Sequence, residues 1–115
     1  MDRTTVALGG ETLVLAGIAQ RLESDGHFRI VTTDTRDPAF VSSLEATSAH
    51  VLIVDLNVVP VDEALELVRR CGDLLLIGLD PGGGELVAIS GGRARTFAID
   101  DLVRLIDHGI ADASG

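Results

Sequence analysis

A chain of 115 residues with 46% hydrophobic content supports one domain with its own core, and nothing in its length calls for a second. Eighteen acids against nine bases leave a formal net charge of −9, which argues against nucleic acid and against an anionic membrane surface as direct partners, because both are bound through clustered basic side chains. All nine bases are arginine, so a catalytic or charge-sensing lysine is excluded outright.

The longest apolar runs, Val51 to Val54 and Leu74 to Ile77, are far too short to span a bilayer, and the N-terminus carries no signal-peptide apolar region. The expected location is therefore cytoplasmic. The single cysteine, Cys71, excludes an internal disulfide and a cysteine-rich metal site, and its apolar surroundings suggest a buried helix-end residue.

In chain order, Thr5 to Leu8 reads as a short strand closed by Gly9 and Gly10. Glu11 and Thr12 open a helix whose Val14, Ile18 and Leu22 recur at four-residue spacing as a core face, and Asp25-Gly26 ends it. His27 to Thr33 alternates in part and reads as a strand with one less buried side. Asp37-Pro38 pairs a capping residue with a proline suited to the first helical turn, starting a helix that carries Phe40, Val41 and Leu44 inward. Val51 to Val54 is a continuous apolar run that ends in Asp55, the pattern of a buried central strand of a parallel sheet. After Pro60, Val61 to Cys71 forms a third helix with Ala64, Leu65 and Val68 on one face, and Leu74 to Leu79 is a fourth strand. The order β-α-β-α-β-α-β calls for a parallel sheet with right-handed crossovers and helices on both faces.

The last third departs from that alternation. Asp80 to Gly84 is a turn, Glu85 to Ser90 alternates, and Gly91-Gly92 separates it from Arg93 to Ala98, so these two runs read as a β-hairpin replacing the last crossover. Asp100 and Asp101 start a terminal helix through Leu102, Leu105, Ile106 and Ile110, and residues 110–115 read as a flexible tail.

Gly9 to Ile18 and Val51 to Asn57, in this order and spacing, resemble the receiver domain of two-component response regulators, in particular the receivers that precede LuxR-type helix-turn-helix domains. The resemblance covers residues 4 to about 79 and resumes at the terminal helix. It implies a three-layer, flavodoxin/CheY-like α/β fold, and it places Asp55, followed by Leu56-Asn57, at the phospho-acceptor position.

Little of the receiver chemistry carries over. Phosphoryl transfer to an aspartate requires a divalent cation, which receivers hold with a pair of acids after the first strand; Gly9 and Gly10 stand there. The hydroxyl residue at the end of the fourth strand falls on Gly78, and the lysine of the fifth strand has no counterpart. Phosphorylation is therefore not expected, and the chain reads as a degenerate, non-enzymatic receiver with no cofactor and no assigned metal ligands. An alternative reading keeps the carboxyl edge as a pocket for a small ligand, anion or metal, or as a residual Asp55 acceptor, with Gly9, Gly10, Glu11, Asn57, Gly78 and Asp80 around Asp55. Against it, Glu11 also reads as a helix-start charge, Asp80 as a turn residue, and Asp55 as a strand-end carboxylate accepting backbone N–H groups.

The remaining motifs carry no catalytic signal. Gly9-Gly10-Glu11-Thr12 lacks the third glycine of a dinucleotide loop and the Gly-Lys-Ser/Thr of a P-loop, while His27, His50 and His108 are isolated. Function then falls to the surface. Leu13 and Leu15 on the first helix are one candidate interface or else part of a wide core face, and Arg93 and Arg95 on the last strand, the main basic spot of an acidic domain, are another or else charges that guard an exposed edge strand. The expected partner is a protein or a second copy of the chain, and an edge strand here is open to β-augmentation.

Overall fold

In the computed structural model the chain runs β1 (Thr4–Gly9), α1 (Leu13–Asp25), β2 (Phe28–Thr33), α2 (Phe40–Thr47), β3 (Val51–Asp55), α3 (Val61–Cys71), β4 (Leu75–Asp80), β5 (Glu85–Ser90) and β6 (Arg93–Ala98). A 3-10 turn, Ile99–Asp101, then leads into helical residues 102–106. The structure describes residues 4–10, 12–26, 28–34, 37–47, 49–71, 74–80, 84–90 and 93–106. Glu11, His27, the glycine pairs 82–83 and 91–92, His108, and the expected helix end and tail from 107 onward lie outside the described residues, as do the side chains of Val41 and Cys71.

The strands form one mixed sheet in the order β2-β1-β3-β4-β5-β6. β2, β1, β3 and β4 are mutually parallel, and β4–β5 and β5–β6 are antiparallel, so the expected hairpin is present and the sheet changes direction at β4. β3 lies at the centre of the parallel part and is buried along its whole length, as its unbroken apolar run requires.

Alternation along the strands sorts the core onto two faces. On one face Val6, Leu8, Val51, Ile53, Leu75, Ile77, Leu79, Leu86 and Ala88 meet Leu15, Ile18 and Leu22 of α1 and Leu102, Leu105 and Ile106 of the terminal turn. On the other, Ala7, Leu52, Val54, Leu74, Leu76 and Ile89 meet Phe40 and Leu44 of α2 and Ala64 and Val68 of α3. Each buried Leu, Ile, Val or Phe side chain contributes roughly 1.5–3 kcal/mol of transfer free energy, so most of the stabilisation comes from these two layers.

Helix boundaries follow local chemistry. Thr12 caps α1, its hydroxyl oxygen accepting the Leu15 N–H at 3.2 Å, and the helix stops at Gly26, whose N–H returns to the Glu23 carbonyl. α2 begins two residues later than Pro38, because the Asp37 carboxylate accepts the Ala39 N–H and its carbonyl the Phe40 N–H in a turn ahead of the helix.

Two expectations about helix faces need correction. Leu15 is 1% exposed and packs in the core, so it is not part of a surface; the buried stripe of α1 is Leu15, Ile18 and Leu22, with Val14 only partly covered. The segment Leu13 to Ala19 is apolar nearly all round, so its spacing alone admits either phase. Leu13, by contrast, is 91% exposed. On α3, Leu65 sits at the open margin of the stripe at 36% exposure, while Leu67 takes a half-buried place that the spacing did not indicate.

Candidate functional site

Parallel strands place their carboxyl ends at one edge, and three of them bring the candidate residues together. Leu8 is level with Ile53 and Val54 with Gly78, so Gly9 and Gly10 at the end of β1, Asp55 and Asn57 at the end of β3, and Gly78 and Asp80 at the end of β4 share that edge. Arg93 and Arg95 lie apart from it on β6, beyond β5, and Leu13 projects from α1 into solvent.

Asp55 is 5% exposed, and its carboxylate is engaged locally. Oδ1 accepts the Asn57 N–H at 2.9 Å, and the Asp55 carbonyl accepts the N–H groups of Val58 and Val59, both at 2.9 Å. Asp55 thereby closes the turn that leads from β3 into α3, an arrangement in which an aspartate side chain stands in for a backbone acceptor. Among the described residues, no buried side-chain nitrogen or oxygen lacks a partner, and no group of three His, Cys, Asp or Glu is placed to hold a metal ion.

The neighbouring positions are shaped by glycine for different reasons. Gly10 has φ +138°, a conformation that L side chains rarely adopt, so the exit from β1 depends on glycine there. Gly78 is closely approached by a side chain: a Cβ on it would fall 2.6 Å from Leu56 Cδ2, 2.9 Å from Cγ and 3.2 Å from Cδ1, so Leu56 would have to shift to admit one. The Leu56 N–H donates to the Leu79 carbonyl at 2.9 Å, extending the β3–β4 ladder by one bond and holding the leucine over the glycine. Leu56 thus fills the volume in which a hydroxyl side chain at residue 78 would stand.

Asp80 is exposed and begins the turn into β5, its carbonyl accepting the Gly84 N–H, and Asn57 is exposed in the turn that follows β3. The described ion pairs lie on the surface away from Asp55: Arg21 with Asp100 at 3.7 Å joins α1 to the 3-10 turn, Arg69 and Arg70 meet Glu66 along α3, and Arg104 meets Asp101. Such exposed pairs contribute little.

Sequence reasoning missed Leu56. Its signal was the isolated glycine inside the apolar strand Leu75-Leu76-Ile77-Gly78-Leu79, since a glycine within a strand often marks close approach by a neighbour. It also missed the exposed apolar residues Val58, in the turn after β3, and Val61, at the start of α3. Among the described residues no helix is long and apolar enough to cross a membrane.

No family model matches the chain, and comparison with curated proteins and with solved structures gives no match.

Proposed function

We propose that this chain is a receiver-like domain of CheY-like topology that works as a non-catalytic protein-interaction module, with Asp55 holding a turn instead of accepting a phosphoryl group. The observation that carries this reading is the joint state of Asp55 and Gly78: the carboxylate is buried and bonded to the Asn57 N–H, and the space beside Gly78 is taken by Leu56. A phosphoryl group on Asp55 would bring developing negative charge to an edge where Gly9, Gly10 and Gly78 present no side-chain donor and the chain has no lysine. The strand order β2-β1-β3-β4 and the placement of α1 opposite α2 and α3 support the receiver-like topology, and the antiparallel β5–β6 pair stands where that topology expects a further helix and a parallel strand. The signalling role, and a protein or a second copy as partner, follow from the same reading.

Amide NMR spectra of the chain titrated with Mg²⁺ and beryllofluoride test it. The expected result is no change at Asp55, Asn57 or Leu79. Saturable shifts at those amides, absent in Asp55→Asn, would overturn it.

A further inference from the structure

The sheet ends at β6, and among the described residues no strand pairs with its outer edge. Its six residues pair with β5 without a break in register, from Ser90 opposite Arg93 to Glu85 opposite Ala98. Natural edge strands are blunted by short length, charged side chains, proline, bulges, inward charges or a covering helix or loop, and of these β6 carries the charges of Arg93 and Arg95. β6 contains neither proline nor bulge. On the face that carries α3, its residues Ala94, Thr96 and Ala98 are small and all exposed. β2, the opposite edge, differs: it is packed by α1 and by α2.

We infer that β6 pairs antiparallel with β6 of a second copy about a two-fold axis at Thr96, joining the two sheets into one. The inference deepens, and rests on, the reading of the chain as an interaction module: it names the partner and the surface.

The hydrogen-bonding parity of β6 fits this register. The Ser90–Arg93 pair is separated by only two residues, and a hairpin with a two-residue connection closes on a hydrogen-bonded pair. Arg93, Arg95 and Phe97 then direct their N–H and C=O groups to β5, and Ala94, Thr96 and Ala98 direct theirs to the open edge. Centring on Thr96 sets Thr96 opposite Thr96 and Ala94 opposite Ala98 of the second copy, so all outward groups of β6 find partners.

Charge selects the same arrangement. β6 begins with Arg93 and Arg95 and is followed, after Ile99, by Asp100 and Asp101, which already meet Arg21 and Arg104 in exposed pairs, so an antiparallel copy brings the basic start of one strand to the acidic end of the other. A parallel copy would stack arginine on arginine. In the Thr96 register Arg95 faces Phe97 of the second copy. The guanidinium of Arg95 already lies over its own Phe97 ring at 5.7 Å, so the pair is poised for the cross-strand cation–π contact that replaces a like-charge clash. The two arginines therefore do not protect the edge from a second copy. They fix which way round it binds.

Sedimentation velocity of the full chain over a wide concentration range tests the proposal. The expected result is a concentration-dependent shift from the 12.0 kDa monomer toward twice that mass. Proline is tolerated at an edge position whose N–H faces outward, so Thr96→Pro is expected to keep the circular dichroism spectrum and weaken dimerisation roughly tenfold or more. Thr96→Cys treated with a short bis-maleimide is expected to join the two copies through the introduced thiols, identified by peptide mass, since a hydrogen-bonded pair sets the two Cβ atoms wider than a disulfide spans, and this readout decides the matter if the proline variant does not fold. A chain that stays monomeric at the highest concentration, a dimer indifferent to Thr96→Pro, or a dimer of Thr96→Cys that gives no such cross-link would overturn the pairing. The outcomes are separable from those of the preceding proposal: a response of Asp55 to beryllofluoride would remove the non-phosphorylated reading and leave the β6 dimer standing, and a strict monomer would do the reverse.

Discussion

Leu56 and Gly78 share one volume. The leucine follows the aspartate of β3, the glycine sits near the end of β4, and a Cβ on the glycine would come within 2.6 Å of the Leu56 Cδ2. Real Cβ atoms do not sit that close to a neighbour, so a side chain at residue 78 requires the half-buried Leu56 side chain to shift. Under the proposed reading, the contact that tightens the β3–β4 junction also takes the space that a hydroxyl side chain at position 78 would need.

Gly78→Thr is expected to cost about 1–3 kcal/mol, the usual range for forcing extra atoms into a filled core. Leu56→Ala, at a half-buried site, should cost roughly 1–2 kcal/mol. Because the two changes act on one space, the double variant should be more stable than their sum by on the order of 1 kcal/mol or more. Urea denaturation of the four proteins measures this, and strict additivity would show that the two residues do not compete.

The turn role of Asp55 separates two substitutions that a phospho-acceptor role would treat alike. Asp55→Asn keeps an oxygen able to accept the Asn57 N–H and is expected to stay within about 1 kcal/mol of the parent. Asp55→Ala leaves that N–H and a buried gap behind, at about 1–3 kcal/mol. Equal stability of the two variants by chemical denaturation would count against the turn.

Two neighbouring leucines on α1 make opposite predictions. Leu15→Ala empties a core position and should cost about 2–5 kcal/mol. Leu13→Ser changes a side chain that is 91% exposed and should fall within about 0.5 kcal/mol. Thermal denaturation of each single variant checks the pair, and a large loss at Leu13 would reverse the assignment of the helix face.

Gly10→Ala should destabilise by roughly 1–3 kcal/mol for reasons of backbone conformation alone. The space is open, with Leu15 Cδ1 at an ordinary 3.7 Å from the added carbon, but φ +138° is strained for any L side chain. A neutral result in urea denaturation would mean that β1 leaves the sheet with a different geometry.

Much of the architecture was legible in the sequence because it rests on local patterns. The apolar run before Asp55, the Pro60 boundary and the Gly91-Gly92 separator mark β3, α3 and the β5–β6 pair at or within a residue of their observed limits. The side-chain environments were less legible where the pattern is degenerate or the contact is distant. Apolar residues surround the first turns of α1, so spacing did not choose between Val14 and Leu15, and Leu65 keeps the periodicity of a core residue although little covers that margin of α3. The carboxyl-edge grouping of Gly9, Gly10, Asp55 and Gly78 followed from strand order. The insertion of Leu56 over Gly78 did not, because it depends on how two strands separated by a whole helix meet at their ends.

Under the proposed reading Asp55 serves the fold and takes no phosphoryl group. Intact mass of the chain after incubation with Mg²⁺ and an acyl-phosphate donor tests it most directly, with Asp55→Asn treated alongside. An unchanged mass for both proteins is the predicted result; a single added phosphoryl group on the parent chain that is missing from Asp55→Asn would contradict it.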